Sequence, residues 1–148
     1  MGNPHKANGT LAPLQDEHVE LNKALALVNA ALSAPDRRKA VVVDLIDRLV
    51  EDVEIHFRHE EEGGYFRAVV ARAPRLSEQA DELQRQHAVL AEQGEKLRLL
   101  ARSGMETESW WKLVEQQLAD FRAQFADHER RENSLLQEAY DLDIGPAD

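Results

Sequence analysis

Glu54-Ile55-His56-Phe57-Arg58-His59-Glu60-Glu61-Glu62 ends a run whose apolar residues recur with a helical period. Val42, Ile46, Leu49, Val53, His56 and Glu60 follow one another at steps of four and three. That is the spacing of the inward seam of a helix in a bundle. The seam is apolar for its first four members and then turns to His and Glu. A histidine and a carboxylate four residues apart share one helix face. Left unpaired in a core, each costs roughly 1–3 kcal/mol. A metal ion is the first candidate to satisfy them.

Three further seams can be read outward from this one. The first helix is expected over about 13–33, with Pro13 in its first turn and the seam Leu14, His18, Leu21, Leu25, Val28 and Leu32. Residues 1–12 read as a flexible arm carrying an exposed His5. Pro35-Asp36 breaks the pattern, with Asp36 as N-cap of a second helix over about 37–62 that Gly63-Gly64 stops. A connection of about a dozen residues follows, and its first half can take helical turns. Ser77 is the expected cap of a third helix ending near Arg102, with the seam Leu76, Ala80, Leu83, His87, Leu90, Gly94, Leu97 and Ala101. The fourth, from about Thr107 to Tyr140, has the seam Trp111, Val114, Leu118, Phe121, Phe125, His128, Glu132 and Leu135. Residues 141–148 read as an extended tail.

Four amphipathic helices joined by short connections predict an all-α, up-down-up-down four-helix bundle over residues 13–140. Each helix carries one seam histidine. Seam positions are ~2/7 of a helix, so four placed there independently is about a 1 % coincidence. Counting ~1.5 Å per residue from each connection brings the two histidines of each hairpin to within ~10 Å in depth. The motifs repeat: His18 precedes His56-x-x-x-Glu60, and His87 precedes His128-x-x-x-Glu132. The chain therefore reads as an internal duplication that gathers four imidazoles and two carboxylates in one layer. Such a mixed donor set suits iron, manganese or zinc.

Composition bounds the function. The 148 residues carry 18 Lys and Arg against 28 Asp and Glu, a net charge of −10, which argues against binding a nucleic-acid backbone. With no cysteine, disulfides, thiolate ligands and iron–sulfur clusters are excluded. No apolar run approaches the ~20 residues of a membrane span, and Met1 to Lys6 lacks the apolar core of a secretion signal. A cytoplasmic location is the expectation.

The ordered set His18, His56-Phe57-x-x-Glu60-Glu61, His87 and His128-x-x-x-Glu132 resembles the hemerythrin-like, or HHE cation-binding, family over about residues 14–140. The resemblance implies a non-haem di-iron centre with two iron ions in an oxo- or hydroxo-bridged pair, engaging O2, peroxide or nitric oxide. By position, His18 and His56 would serve one iron, His87 and His128 the other, and Glu60 and Glu132 would bridge them. Two departures stand out. The family often has a second histidine where Ala91 stands. The oxygen carriers usually place an aspartate where Asn133 stands, and here Glu132 precedes it. Ala91 and Gly94, both small, are expected to leave room beside the metal. That predicts a nearly symmetric centre that binds small anions such as azide, reacts with peroxide, and oxidises rather than carrying O2 reversibly. A di-iron oxidase or peroxidase, and a zinc-bound or metal-free helical interaction module, are the alternatives. His59 and Glu61 are expected at the surface or behind the ligands, and Glu62 and Glu92 in solvent. Tyr65 is a candidate to line the site, and Trp110, Trp111, Phe121 and Phe125 belong to the core.

Overall fold

The computed structural model describes residues 4–140, with side chains from residue 14 onward. The expected exposure of His5 and the expected tail over 141–148 lie outside those bounds. Five α-helices and a 3-10 turn make up the described chain: α1 Pro4–Ser33, α2 Lys39–Glu62, α3 Tyr65–Arg72, the turn Pro74–Leu76, α4 Ser77–Ser103 and α5 Glu108–Tyr140. α1 packs on α2, α2 on α4, α4 on α5, and α5 returns to α1, so the four long helices surround one interior. No helix of the described residues is long and apolar enough to cross a membrane.

Every seam residue read from the periodicity is buried. The helix ends differ from expectation. α1 begins at Pro4, so helix replaces most of the arm expected over 1–12. Pro4 suits a first turn as well as Pro13 does, and Gly9 costs only about 1 kcal/mol within a helix. Asp36 lies in the turn ahead of α2, whose N-cap is Arg38 and has no side-chain hydrogen bond. Ser77 does not cap α4 but is its first residue, because the 3-10 turn already leads the backbone into the helix. Thr107 does cap α5: its Oγ1 accepts from the Trp110 N–H at 3.2 Å.

α2 stops at Gly63-Gly64. Gly64 has φ 75°, a left-handed conformation that glycine adopts without strain, and the chain turns there into α3. α3 packs against α4 and α5 and closes one end of the interior.

The core falls into two apolar clusters. One contains Leu25, Val28, Ile46, Leu97, Leu118 and Phe121. The other contains Leu14, Tyr65, Phe66, Val69, Leu83 and Leu135. On α1, α4 and α5 the seam histidine lies between a member of one cluster and a member of the other, as His87 lies between Leu83 and Leu90. A polar layer is thus enclosed above and below by hydrocarbon.

Candidate metal centre

Each of the four long helices delivers one imidazole to that layer, and α2 and α5 each add a carboxylate one turn further on. His18, His56, Glu60, His87, His128 and Glu132 are all buried, with His18 the least enclosed at 9 % exposure. The rings of His18 and His56 lie 4.6 Å apart and those of His87 and His128 lie 5.0 Å apart. The hairpins have therefore matched the depths of their histidines more closely than residue counting required. Donor atoms of His18, His56, Glu60 and Glu132 lie within 4.8 Å of one another, and so do those of His87, His128 and Glu132.

Both carboxylates straddle the two halves. Glu132 places Oε1 3.2 Å from His18 Nε2 and Oε2 3.3 Å from His128 Nε2. Glu60 places Oε1 against His56 Nε2 and Oε2 3.8 Å from His87 Nε2. None of these four oxygens makes a hydrogen bond of acceptable geometry, and neither do His87 Nε2 and His128 Nε2.

The outer nitrogens explain why. His56 Nδ1 pairs with Glu17 Oε2 at 2.5 Å, His87 Nδ1 with Glu61 Oε1 at 3.0 Å, and His128 Nδ1 with Gln86 Oε1 at 2.8 Å. Each acceptor is an oxygen, so each Nδ1 carries the proton and donates it. The Nε2 atoms of these three imidazoles are then left facing carboxylate oxygens. Lone pair against lone pair is repulsive unless a proton or a metal cation stands between them. Metal-ligating histidines are held in this way, with the distal N–H on a carboxylate or carbonyl.

Glu61 thus stands behind His87, as one of the expected readings had it. His59 is exposed and pairs through Nδ1 with the other oxygen of Glu17. Glu17 and Gln86 were not singled out from the sequence, though a signal existed. Each directly precedes the first histidine of its half and supports the histidine on the next long helix. Phe57 was also missed. Its ring stacks on His87 with centroids 4.0 Å apart and meets His128 edge-on at 5.7 Å. On the α1–α5 side, buried Glu129 accepts from Asn22 Nδ2 at 3.1 Å, and the same Nδ2 donates to the His18 carbonyl at 3.0 Å.

One expectation needs correction. Gly94 does not open space beside the donors. A Cβ there would meet Val50 Cγ1 at 3.4 Å and Phe121 at 3.8 Å, ordinary contact distances, so the position faces apolar side chains and not the donors.

The electrostatics separate the two carboxylates. Burial, and then the charge of Glu132, push Glu60 well above the usual carboxylate range. Burial alone would raise Glu132 too, but the contacts with His128 and His18 outweigh it and hold Glu132 well below that range. Burial pushes His87 down to about 4, against the opposing pull of Glu61, and it lowers His56 as well, helped by His18. The Glu132 contact overcomes burial at His18 and raises it.

For His87 the consequence is a loss of stability in acid. Unfolded histidine titrates near ~6.5, so below that pH the unfolded chain binds a proton that folded His87 refuses. With chelator present, stability contributed by this group falls as pH drops from about 6.5 towards 4. An NMR titration of the chelated protein should find the His87 ring neutral at about pH 5.5. A midpoint at or above ~6.5 would contradict the burial argument.

A family model described as hemerythrin HHE cation binding domain matches residues 10–140. No curated protein and no solved structure matches the chain.

Proposed function

The chain belongs to the hemerythrin HHE cation-binding family, and from that premise we propose that it holds two iron ions inside an up-down-up-down bundle and binds, senses or detoxifies O2, peroxide or nitric oxide there. The observation that carries this reading is the set of inward Nε2 lone pairs facing carboxylate oxygens that have no other partner. Two ions, rather than one, are supported by the way Glu60 and Glu132 each offer one oxygen to either half of the site. His18 and His56 would hold one ion and His87 and His128 the other, with Glu60 and Glu132 placed to serve both, as carboxylates do in other bundle centres. Bound iron supplies redox capacity and coordination positions open to a small ligand.

The chain's own residues set the rest. Glu17, Glu61 and Gln86 fix the tautomer and direction of three imidazoles. Six side chains form the donor set, and Ala91 adds none on the turn after His87. Bound ions would therefore have room for an exogenous ligand. Phe57, Phe66 and the two apolar clusters keep bulk water from the layer, which favours a small uncharged or singly charged ligand over a large substrate.

Metal analysis of protein reconstituted with ferrous iron and then exposed to air should give two irons per chain and visible absorption. Zinc should fill the same positions without colour. One ion per chain, or none, overturns the reading.

A further inference from the structure

Tyr65 has a buried hydroxyl with no hydrogen-bond partner among the described residues. It opens α3 directly after Gly64, whose left-handed backbone turns the chain over the end of α2. That turn drives the ring into the apolar cluster that closes one side of the carboxylate layer. There it meets Phe66 edge-on at 4.8 Å and is 2 % exposed. A buried phenol ordinarily finds an acceptor, because an unpaired O–H forfeits its hydration without return. Tyr65 Oη has no partner, and the four oxygens of Glu60 and Glu132 have no hydrogen-bond partner either. The phenol therefore reaches none of them directly. Yet the Phe66 ring that Tyr65 meets lies 5.5 Å from the His87 ring, so the phenol stands one side chain away from the donor layer. A separation of this kind between polar groups is one that a bridging molecule closes.

Resting on the metal-pair reading above, we infer that Tyr65 donates its O–H to a small anion or peroxide held at the metal pair, and so helps select which ligand the centre retains. The phenol keeps its proton at neutral pH, so it has an O–H to donate. It rewards ligands whose free end carries a lone pair.

Tyr65→Phe keeps the ring and removes only the hydroxyl. The probe is azide, titrated into iron-loaded protein and followed by visible absorption. The variant should bind azide about tenfold more weakly, or worse, since one hydrogen bond to a charged group is lost. Its iron content should match the native protein, and its melting temperature in chelator should be unchanged or higher. Tyr65→Leu, which also lacks the hydroxyl, should weaken azide at least as much. Azide binding equal to native in Tyr65→Phe overturns the inference. Loss of iron from Tyr65→Phe also overturns it, because the hydroxyl would then be serving the carboxylates. If the native protein takes up no iron, the metal-pair reading fails and this inference falls with it; if it takes up two irons but no azide, the inference alone is overturned. The native titration thus separates that failure from failure of the Tyr65 donor alone.

Discussion

Glu60→Gln is expected to strip the protein of tightly held metal while leaving the chelated protein at least as stable as native. The two halves of this result come from one side chain. Glu60 is fully buried, and burial together with the Glu132 charge pushes its carboxyl well above the usual carboxylate range, which favours the protonated form. Glutamine copies the shape of that neutral group and introduces no unpaired charge. With metal the balance reverses. A carboxylate can lend one oxygen to each of two cations, but an amide has a single, weaker oxygen donor. A ligand present at ~1,000 times its Kd adds about 4 kcal/mol of stability. For a chain of this length ~1 kcal/mol moves the melting temperature by roughly 2–4 °C. Native protein should therefore melt about 8–16 °C higher with one metal equivalent so bound than in chelator. Glu60→Gln should show little of that gap. Glu132→Gln should behave differently. It removes an ionised group that faces His18 and His128, so the chelated protein should melt lower as well. Paired melts with metal and with chelator, alongside metal content, give the answer. Two ions retained by Glu60→Gln would remove Glu60 from the donor set.

What could be read from the sequence follows from how far each interaction reaches. Seam positions were legible because a helix repeats its inward face every three or four residues, and the histidines and carboxylates occupy that face with the apolar residues. His56 and Glu60 needed no tertiary information to be placed on one side of α2. Glu17, Gln86 and Glu61 were not legible as the partners they are. Their Nδ1 contacts cross between helices, and which histidine each meets depends on packing geometry that periodicity does not contain. Adjacency was the remaining clue. Glu17-His18 and Gln86-His87 are equivalent in the duplicated halves, and both support the histidine of the following long helix. The helix starts at Asp36 and Ser77 were misread for another reason. Capping preference is worth about 1 kcal/mol, and the turn before α2 and the 3-10 turn before α4 override it. Gly94 was read as room at the donors because it shares their seam. Its neighbours Val50 and Phe121 belong instead to the apolar cluster one turn along.

Phe57→Ala should cost both stability and half of the metal centre. Phe57 is 4 % exposed and packs between the apolar cluster and the imidazoles. Its ring is nearly parallel to His87, with centroids 4.0 Å apart and planes at 10°. It also meets His128 edge-on and lies 6.4 Å from Phe125. Truncating a buried phenylalanine to alanine typically costs ~3–5 kcal/mol, partly from the cavity left behind. At roughly 2–4 °C per kcal/mol, that lowers the melting temperature by about 6–20 °C. The metal effect is more specific. Without the ring, His87 keeps its Glu61 hydrogen bond but loses the flat surface that fixes its tilt. The His87–His128 half should bind its ion more weakly than the His18–His56 half, where Phe57 makes only a tilted contact with His56 at 6.0 Å. Titrated with limiting metal, Phe57→Ala should fill one position tightly and the second only at higher concentration. Phe121→Ala is the control. Phe121 is equally buried in the same cluster, yet its stacked partner is Phe125 and no imidazole. It should destabilise the fold by a similar amount and still bind two ions alike. Equal loss of metal in the two variants would mean that Phe57 acts through general packing, and that Glu61 alone suffices to aim His87.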